Sequence, residues 1–376
     1  MRQASLCLCV SLTFLLSVSP ATAEPETLQR PLPSQFFSED TFLVASVDVG
    51  RFSIERVYES VGLLIPGNLS AIVRERKGDV PGLVLAGSVL HEFAKNEAVR
   101  NQMIARAPNH PFVVADRTAK QLKELGIEQV LIVLTWRGGE RQGFSTYVLA
   151  AADENLDQKD RDARQAGLQE IAESFGAKVE SVPGWLVLHR ETALPEDTFA
   201  LSDATFAEAL KSNRHHDIGV VFVATEKLRD QIASGIEALS KSAKGDEAHL
   251  VPLVKQIGKI VDSDWQYAGV DFGEKPAVRA AANFAQPAEA AEFGSSLTKL
   301  LAAVPQAAAS DETEDEAALA TLASFTRQLK VEVDAARLRL ELDASALQQV
   351  CADAFKNIPP TRKPQPIGVN DGDKDE

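Results

Sequence analysis

His215-His216-Asp217 is the densest group of ligand-type side chains in the chain. Imidazole and carboxylate together can hold zinc or copper. Adjacent residues do not share one face of a strand or helix, however, and no partner follows at ligand spacing, His249 being the nearest other histidine. The segment therefore reads as a polar loop ahead of a strand. Ser296-Leu297-Thr298-Lys299 matches the Ser-x-x-Lys pattern of acyl-transfer enzymes, but the companion Ser-Asp-Asn and Lys-Thr-Gly motifs are missing, and the pattern lies in an alanine-rich helical stretch. Asn370-Asp371-Gly372-Asp373-Lys374-Asp375-Glu376 has the composition of a calcium loop without its twelve-residue ligand run, and reads as plain acidity.

The other nucleophile and phosphate motifs are absent from the sequence: no Gly-x-Ser-x-Gly elbow, no His-Glu-x-x-His, no Walker loop and no Gly-x-Gly-x-x-Gly. Six histidines leave room for a triad assembled in space, which residue order cannot reveal. Asn68-Leu69-Ser70 is a glycosylation sequon, meaningful only in a eukaryotic secretory pathway. Trp136, Trp185 and Trp265 fall in or at strands and read as packing residues rather than sugar platforms. No catalytic, cofactor-binding or metal-binding residue is assigned from sequence, and no cofactor is implied.

The amino terminus indicates the compartment. Met1-Arg2, an apolar run from Leu6 to Val18, Pro20, and Ala21-Thr22-Ala23 follow the order of a secretory signal cleaved after Ala23. The run falls short of the roughly 20 apolar residues that span a bilayer. Cleavage leaves Cys351 as the one cysteine, so core packing rather than an intramolecular disulfide must hold the chain together. The formal net charge of −15 keeps an exported protein soluble and argues against nucleic acid and anionic membrane surfaces as partners.

The elements that would position any site are written twice. After the signal (residues 1–23) and a flexible, proline-rich leader (24–36), copy one (37–213) opens with an apolar strand, Thr41 to Val49, and a helix from Arg51 to Leu64. Copy two (214–358) opens with Ile218 to Ala224 and a helix from Glu226 to Leu239. Each continues with a hairpin, Gln129–Trp136 with Phe144–Ala151 and Trp265–Phe272 with Ala277–Phe284, both punctuated by glycine or proline. A helix (Leu168–Phe175; Ala288–Leu301), two strands (Lys178–Val182 and Trp185–Arg190; Lys330–Val333 and Leu338–Leu342) and a last helix (Ala204–Ser212; Ala346–Asn357) complete each copy. The order β-α-α-β-β-α-β-β-α thus occurs twice.

Copy one carries extra chain over Ile65 to His110, including Arg74-Glu75-Arg76-Lys77 and read as a helical arm. Copy two carries an acidic insert, Ala307 to Glu316, read as a solvated loop. Residues 359–376 read as a disordered acidic tail.

Two segments carry the clearest periodicity. Leu338, Leu340 and Leu342 alternate with Arg337, Arg339, Glu341 and Asp343, the pattern of an antiparallel sheet wet on one face. Leu347, Val350, Cys351, Ala354, Phe355 and Ile358 form a helical stripe expected to bury itself on the leucine face, with Cys351 a core thiol. The expected fold is α+β: two tandem copies with antiparallel sheets covered by helices on one face.

Phe37-Ser38-Glu39-Asp40-Thr41 with Val47-Asp48-Val49, and Leu201-Ser202-Asp203 ahead of a short helix and a new strand, resemble a group of uncharacterised exported bacterial proteins of planctomycete type. Their acidic opening recurs after a Leu-Ser-Asp segment; here Asp217 starts the second strand, but Thr225 or Glu226 stands where the counterpart of Asp48 would fall. The resemblance implies a cell-envelope location and a duplicated α+β domain, and brings no catalytic residues. The leading expectation is a periplasmic or extracellular binding or protein-interaction module with an envelope protein partner. The alternatives are a hydrolase with residues scattered in sequence and a carrier of a small apolar ligand. The first predicts a broad exposed apolar or aromatic patch, the second a cleft where titratable groups converge with perturbed pKa values, the third a closed apolar pocket.

Overall fold

The structure, a computed structural model, describes residues 32–38, 40–64, 96–106, 111–137, 143–151, 158–190, 203–212, 216–242, 251–310 and 316–357. The signal peptide, the sequon, the Arg74–Lys77 cluster and the acidic tail lie outside them. The first half contains β1 (Thr41–Asp48), α1 (Ile54–Leu64), α2 (Glu97–Arg106), α3 (Pro111–Glu124), β2 (Gln129–Arg137), β3 (Gly143–Ala151), α4 (Gln158–Ser174), β4 (Lys178–Val182), β5 (Trp185–His189) and α5 (Asp203–Ser212). The second contains β6 (Ile218–Phe222), α6 (Glu226–Ser242), α7 (Val251–Gly258), β7 (Trp265–Asp271), β8 (Ala277–Asn283), α8 (Pro287–Ser310), α9 (Glu316–Gln328), β9 (Lys330–Asp334), β10 (Arg337–Leu342) and α10 (Ala344–Asn357).

Local chemistry starts the helices where they start. Ser53 Oγ accepts the Arg56 amide ahead of α1, Thr225 Oγ1 the Leu228 amide ahead of α6, and Asp343 Oδ1 the Ala346 amide ahead of α10, each an N-cap satisfying an amide that has no helical partner. In the β4–β5 turn, Pro183 sets its own backbone angle and Gly184 supplies a φ of 76°, the pairing a type II turn needs.

All the strands join one ten-stranded antiparallel sheet in the order β4-β5-β3-β2-β1-β6-β7-β8-β10-β9. The halves meet edge to edge, Val44 opposite Val221 and Val47 opposite Ile218. The outer strands β4 and β9 are short and carry Lys178, Glu180, Lys330, Glu332 and Asp334, charges that blunt a sheet edge.

Directly opposed residues share a face, which sorts the core into layers. On one face, α1, α3 and α4 cover Val130, Ala150 and Leu186, while α8 and α9 with the turn at Ile260 cover Ala280, Ala282, Leu338, Leu340 and Leu342. On the other, Val44, Leu131, Leu149, Val187, Val221, Trp265 and Tyr267 are buried under Phe206, Ala209 and Leu210 of α5 and under Leu32, Phe36 and Phe37.

Four expectations are corrected here. Helices do not cover one face alone. β1 and β2 are apolar on both sides, and α5 with the segment ahead of β1 seals the second side. Around β10 that side remains polar and partly wet, through Arg337, Arg339 and Glu341. The leader is not flexible throughout, because Leu32 and Phe36 are core residues. Residues 307–310 are helix rather than loop, since α8 runs to Ser310 through an alanine-rich stretch that favours propagation; residues 311–315 lie outside the described chain. Finally, α9 is a helix the expected element order omitted. The stripe of α10 meets chiefly α9, with Leu347 reaching the leucine face.

Candidate functional site

One row of the sheet on the α5 side reads Ser46, Gly219, Gly269, Arg279, Glu341 across β1, β6, β7, β8 and β10. Two facing glycines leave a trough, and two rings occupy it. A Cβ at Gly219 would stand 2.5 Å from Tyr267 Oη; one at Gly269 would stand 2.4 Å from His216 Cδ2 and 2.7 Å from Tyr267 Oη. The glycines are therefore what lets both rings lie against the backbone, 5.5 Å apart between centroids.

His216 Nδ1 lies 3.0 Å from Asp271 Oδ2. Burial alone would raise the Asp271 pKa, but the His216 hydrogen bond and the charges of His216, Arg279 and Arg51 outweigh it and hold the carboxyl below its ordinary value. The ionised carboxylate can only accept, so in this contact Nδ1 carries the proton. Burial, reinforced by Asp271, pushes the Tyr267 phenol far up, so it stays an O–H donor. Arg279 is lowered by burial and sits 3.7 Å from Asp271 Oδ2. Arg279 Nε is buried without a hydrogen-bond partner, and Asp271 Oδ1 lies 3.5 Å from Arg51 Nη2.

Beside this strip, Asp217 makes a closed contact between the halves. Its side chain is fully buried, with Oδ1 3.0 Å from Arg51 Nε and 2.9 Å from Arg56 Nη1, and Oδ2 accepting the Phe272 amide at 2.7 Å. Arg56 also donates to the Phe272 carbonyl. Nearby, the Gly273 amide donates to Ser60 Oγ at 2.7 Å. Arginines and a serine from the start of the first half thus grip the β7–β8 end of the second.

The sequence cluster His215-His216-Asp217 is split: His216 turns to Asp271 and Asp217 to the arginines, while His215 lies outside the described chain. Among the described residues no three potential ligands converge on a metal position. Ser296 and Lys299 sit in the middle of α8. Trp185 and Trp265 are core residues, whereas Trp136 is half-buried. Cys351 is a free, half-buried thiol whose pKa burial raises. Sequence reasoning missed Arg51, Arg56, Tyr267, Asp271 and Arg279. The available signal was the pair of glycines inside strands, which marks a close approach.

On the opposite face, an aromatic platform forms at the ends of β1, β2, β3 and β6. Phe144 lies 5.1 Å from Trp136 and 5.3 Å from Phe42, Phe42 lies 6.5 Å from Phe222, and Lys227 Nζ is 5.2 Å from the Trp136 ring centre. Phe144 is 55% exposed. A groove of about 410 Å³ between α6 and α7 has Ile232, Ile236 and Val261 along its floor and a rim of mixed charge.

No family model, no curated protein and no solved structure matches this chain.

Proposed function

We propose that the chain is an exported, non-enzymatic binding or protein-interaction module of the cell envelope, built from two tandem copies of one α+β unit. The observation that carries the interaction reading is the platform of Phe42, Trp136 and Phe144. Phe144 is exposed, with the half-buried Phe42 and Trp136 against it, and aromatic side chains are enriched where proteins meet partners. The equal strand order of the halves supports duplication: β1-β2-β3-β5-β4 outward from the centre in one, β6-β7-β8-β10-β9 in the other. The order of charge, apolar core and small residues at the amino terminus supports export.

The test is affinity capture from the native envelope fraction with tagged residues 24–376, run in parallel with Phe144→Ser. The expected result is a stoichiometric, salt-resistant protein recovered by the parent and lost from the variant, with the two melting alike. Equal recovery by both removes the platform as the contact surface.

One observation favours a second reading, a hydrolase with scattered residues: the His216–Asp271 pair, in which a carboxylate orients an imidazole. Hydrolysis of p-nitrophenyl acetate that disappears in His216→Gln would support it. A rate equal to buffer would remove it.

A further inference from the structure

The two outer strands of the sheet run in opposite directions, because ten antiparallel strands alternate from β4 to β9. Among the described residues each is paired on one side alone, β4 with β5 and β9 with β10. Such an edge offers unpaired amides and carbonyls to another strand. Which strand it accepts depends on the side chains at the end of each row across the sheet.

Register gives those ends. Followed through directly opposed residues, the row that starts at Lys178 on β4 passes Val44 and Tyr267 and finishes at Glu332 on β9. The row on the same face that starts at Glu180 passes Ser46 and Gly269 and finishes at Lys330. Between them, on the opposite face, the row from Val179 finishes at Val331. Each of these rows ends in side chains that suit one another, opposite charge with opposite charge and valine with valine.

A second copy with its β4 beside β9 of the first therefore continues the sheet without a shift. The antiparallel alternation is kept. A residue that exchanges backbone bonds with one neighbouring strand has none left for the other, and with an even number of strands this alternation also stays in step across the junction. Lys178 then faces Glu332, Glu180 faces Lys330 and Val179 faces Val331. Val333, 43% exposed, comes against Ala177, the residue ahead of β4. Directly opposed unlike charges stabilise a strand pair and like charges destabilise it. Paired with its own copy about the middle of the strand, each edge would instead set Glu332 against Glu332 or Glu180 against Glu180. The charges that deter random pairing at either edge thus fit the other edge.

We propose that copies of this chain associate head to tail through their sheet edges, β9 of one against β4 of the next. The contact uses a different surface on each side, so every assembly keeps a free edge at both ends and growth does not stop at a dimer. The aromatic platform lies on other strands, so either surface can fail without the other.

The test is sedimentation velocity of residues 24–376 over a wide concentration range, at low and high salt. The expected result is an average mass that climbs past that of a dimer with concentration and falls as salt screens the pairs. Glu332→Lys should weaken association about fivefold, one cross-strand pair being turned from unlike to like charge. Adding Lys178→Glu to that variant should restore the parental level. Both residues are exposed; should Glu332→Lys not fold, Lys178→Glu alone carries the loss and the double variant the recovery. A monomer at every concentration would overturn the inference. So would a mass that levels off at a dimer, the mark of like edges pairing, association unchanged by Glu332→Lys, or a loss that Lys178→Glu does not recover.

Discussion

Asp217 and Asp271 stand side by side and do different work. Asp217 is completely buried yet fully satisfied, with two guanidinium groups and a backbone amide on its two oxygens. Removing one partner of such a contact leaves an uncompensated charge, which costs about 3–5 kcal/mol when both partners are deeply buried. Arg51 and Arg56 are both partly exposed and can recover water, so Asp217→Ala is expected near the lower end, about 3 kcal/mol, by urea unfolding. Asp271 is shared among His216, Arg279 and Arg51, and its effect is read through pH. Its pKa is depressed in the fold, so its contribution is fully present above the unfolded value of about 4 and disappears as pH falls through the lower folded value. Stability of the parent should therefore drop more steeply than that of Asp271→Asn below about pH 4. Tyr267 behaves in the opposite sense. Its pKa is raised, so its contribution is intact below about pH 10 and is lost as pH rises beyond it. Tyr267→Phe should be less sensitive than the parent between about pH 10 and 11, checked by urea midpoints across that range.

Elements of the same type are terminated in unequal ways. The β4–β5 hairpin turns through Pro183-Gly184, with glycine at the positive φ. The β9–β10 hairpin joins the paired residues Asp334 and Arg337 through Ala335-Ala336, and Ala335 has φ 51°. A side chain in that region costs about 1–2 kcal/mol, while glycine adds unfolded-state entropy worth somewhat less. Ala335→Gly should therefore stabilise the protein by about 0.5–1 kcal/mol, measurable as a rise in urea midpoint. The facing glycines of β6 and β7 make the opposite case. Gly269→Ala would place its Cβ against the His216 ring, and the strand backbone leaves the ring to move. A loss of about 1–3 kcal/mol by thermal or urea unfolding is expected, with a changed His216 NMR environment.

At the scale of the molecule, several contacts tie the two halves together. They share the β1–β6 ladder, the Asp217 contact, and a core cluster in which Phe206 of α5 joins Trp265 and Tyr267 of the second half. Chains beyond about 150 residues commonly unfold in stages, but shared core removes the boundary along which stages would separate. Trp185 of β5 and Trp265 of β7, in opposite halves, both lie in that cluster. Variants retaining only one or the other should report the same urea midpoint, coincident with far-ultraviolet circular dichroism. Separated midpoints would show that the halves unfold independently.

Much of the element map was legible in the sequence because it depends on local signals. The Leu338-Leu340-Leu342 alternation places β10, Asp343 caps α10, and Pro183-Gly184 marks the β4–β5 turn, each effect acting within a few residues. The α9 helix and the helical end of α8 were missed because acidic and alanine-rich composition suits a solvated loop as well as a helix face. The single sheet was also beyond local reading. Joining β1 to β6 depends on pairing residues such as Val44 and Val221, far apart along the chain, and the second buried face depends on where α5 comes to rest. The same holds for the candidate site. His216 was visible as a residue type, but Asp271, Tyr267, Arg279, Arg51 and Arg56 reach it only through strand register and the end of α1. The sequence by itself determined strands, caps and turns, since these are set by neighbours along the chain. Only the tertiary structure decided which side chains share a charge, because electrostatic and hydrogen-bond partners are chosen by distance in space.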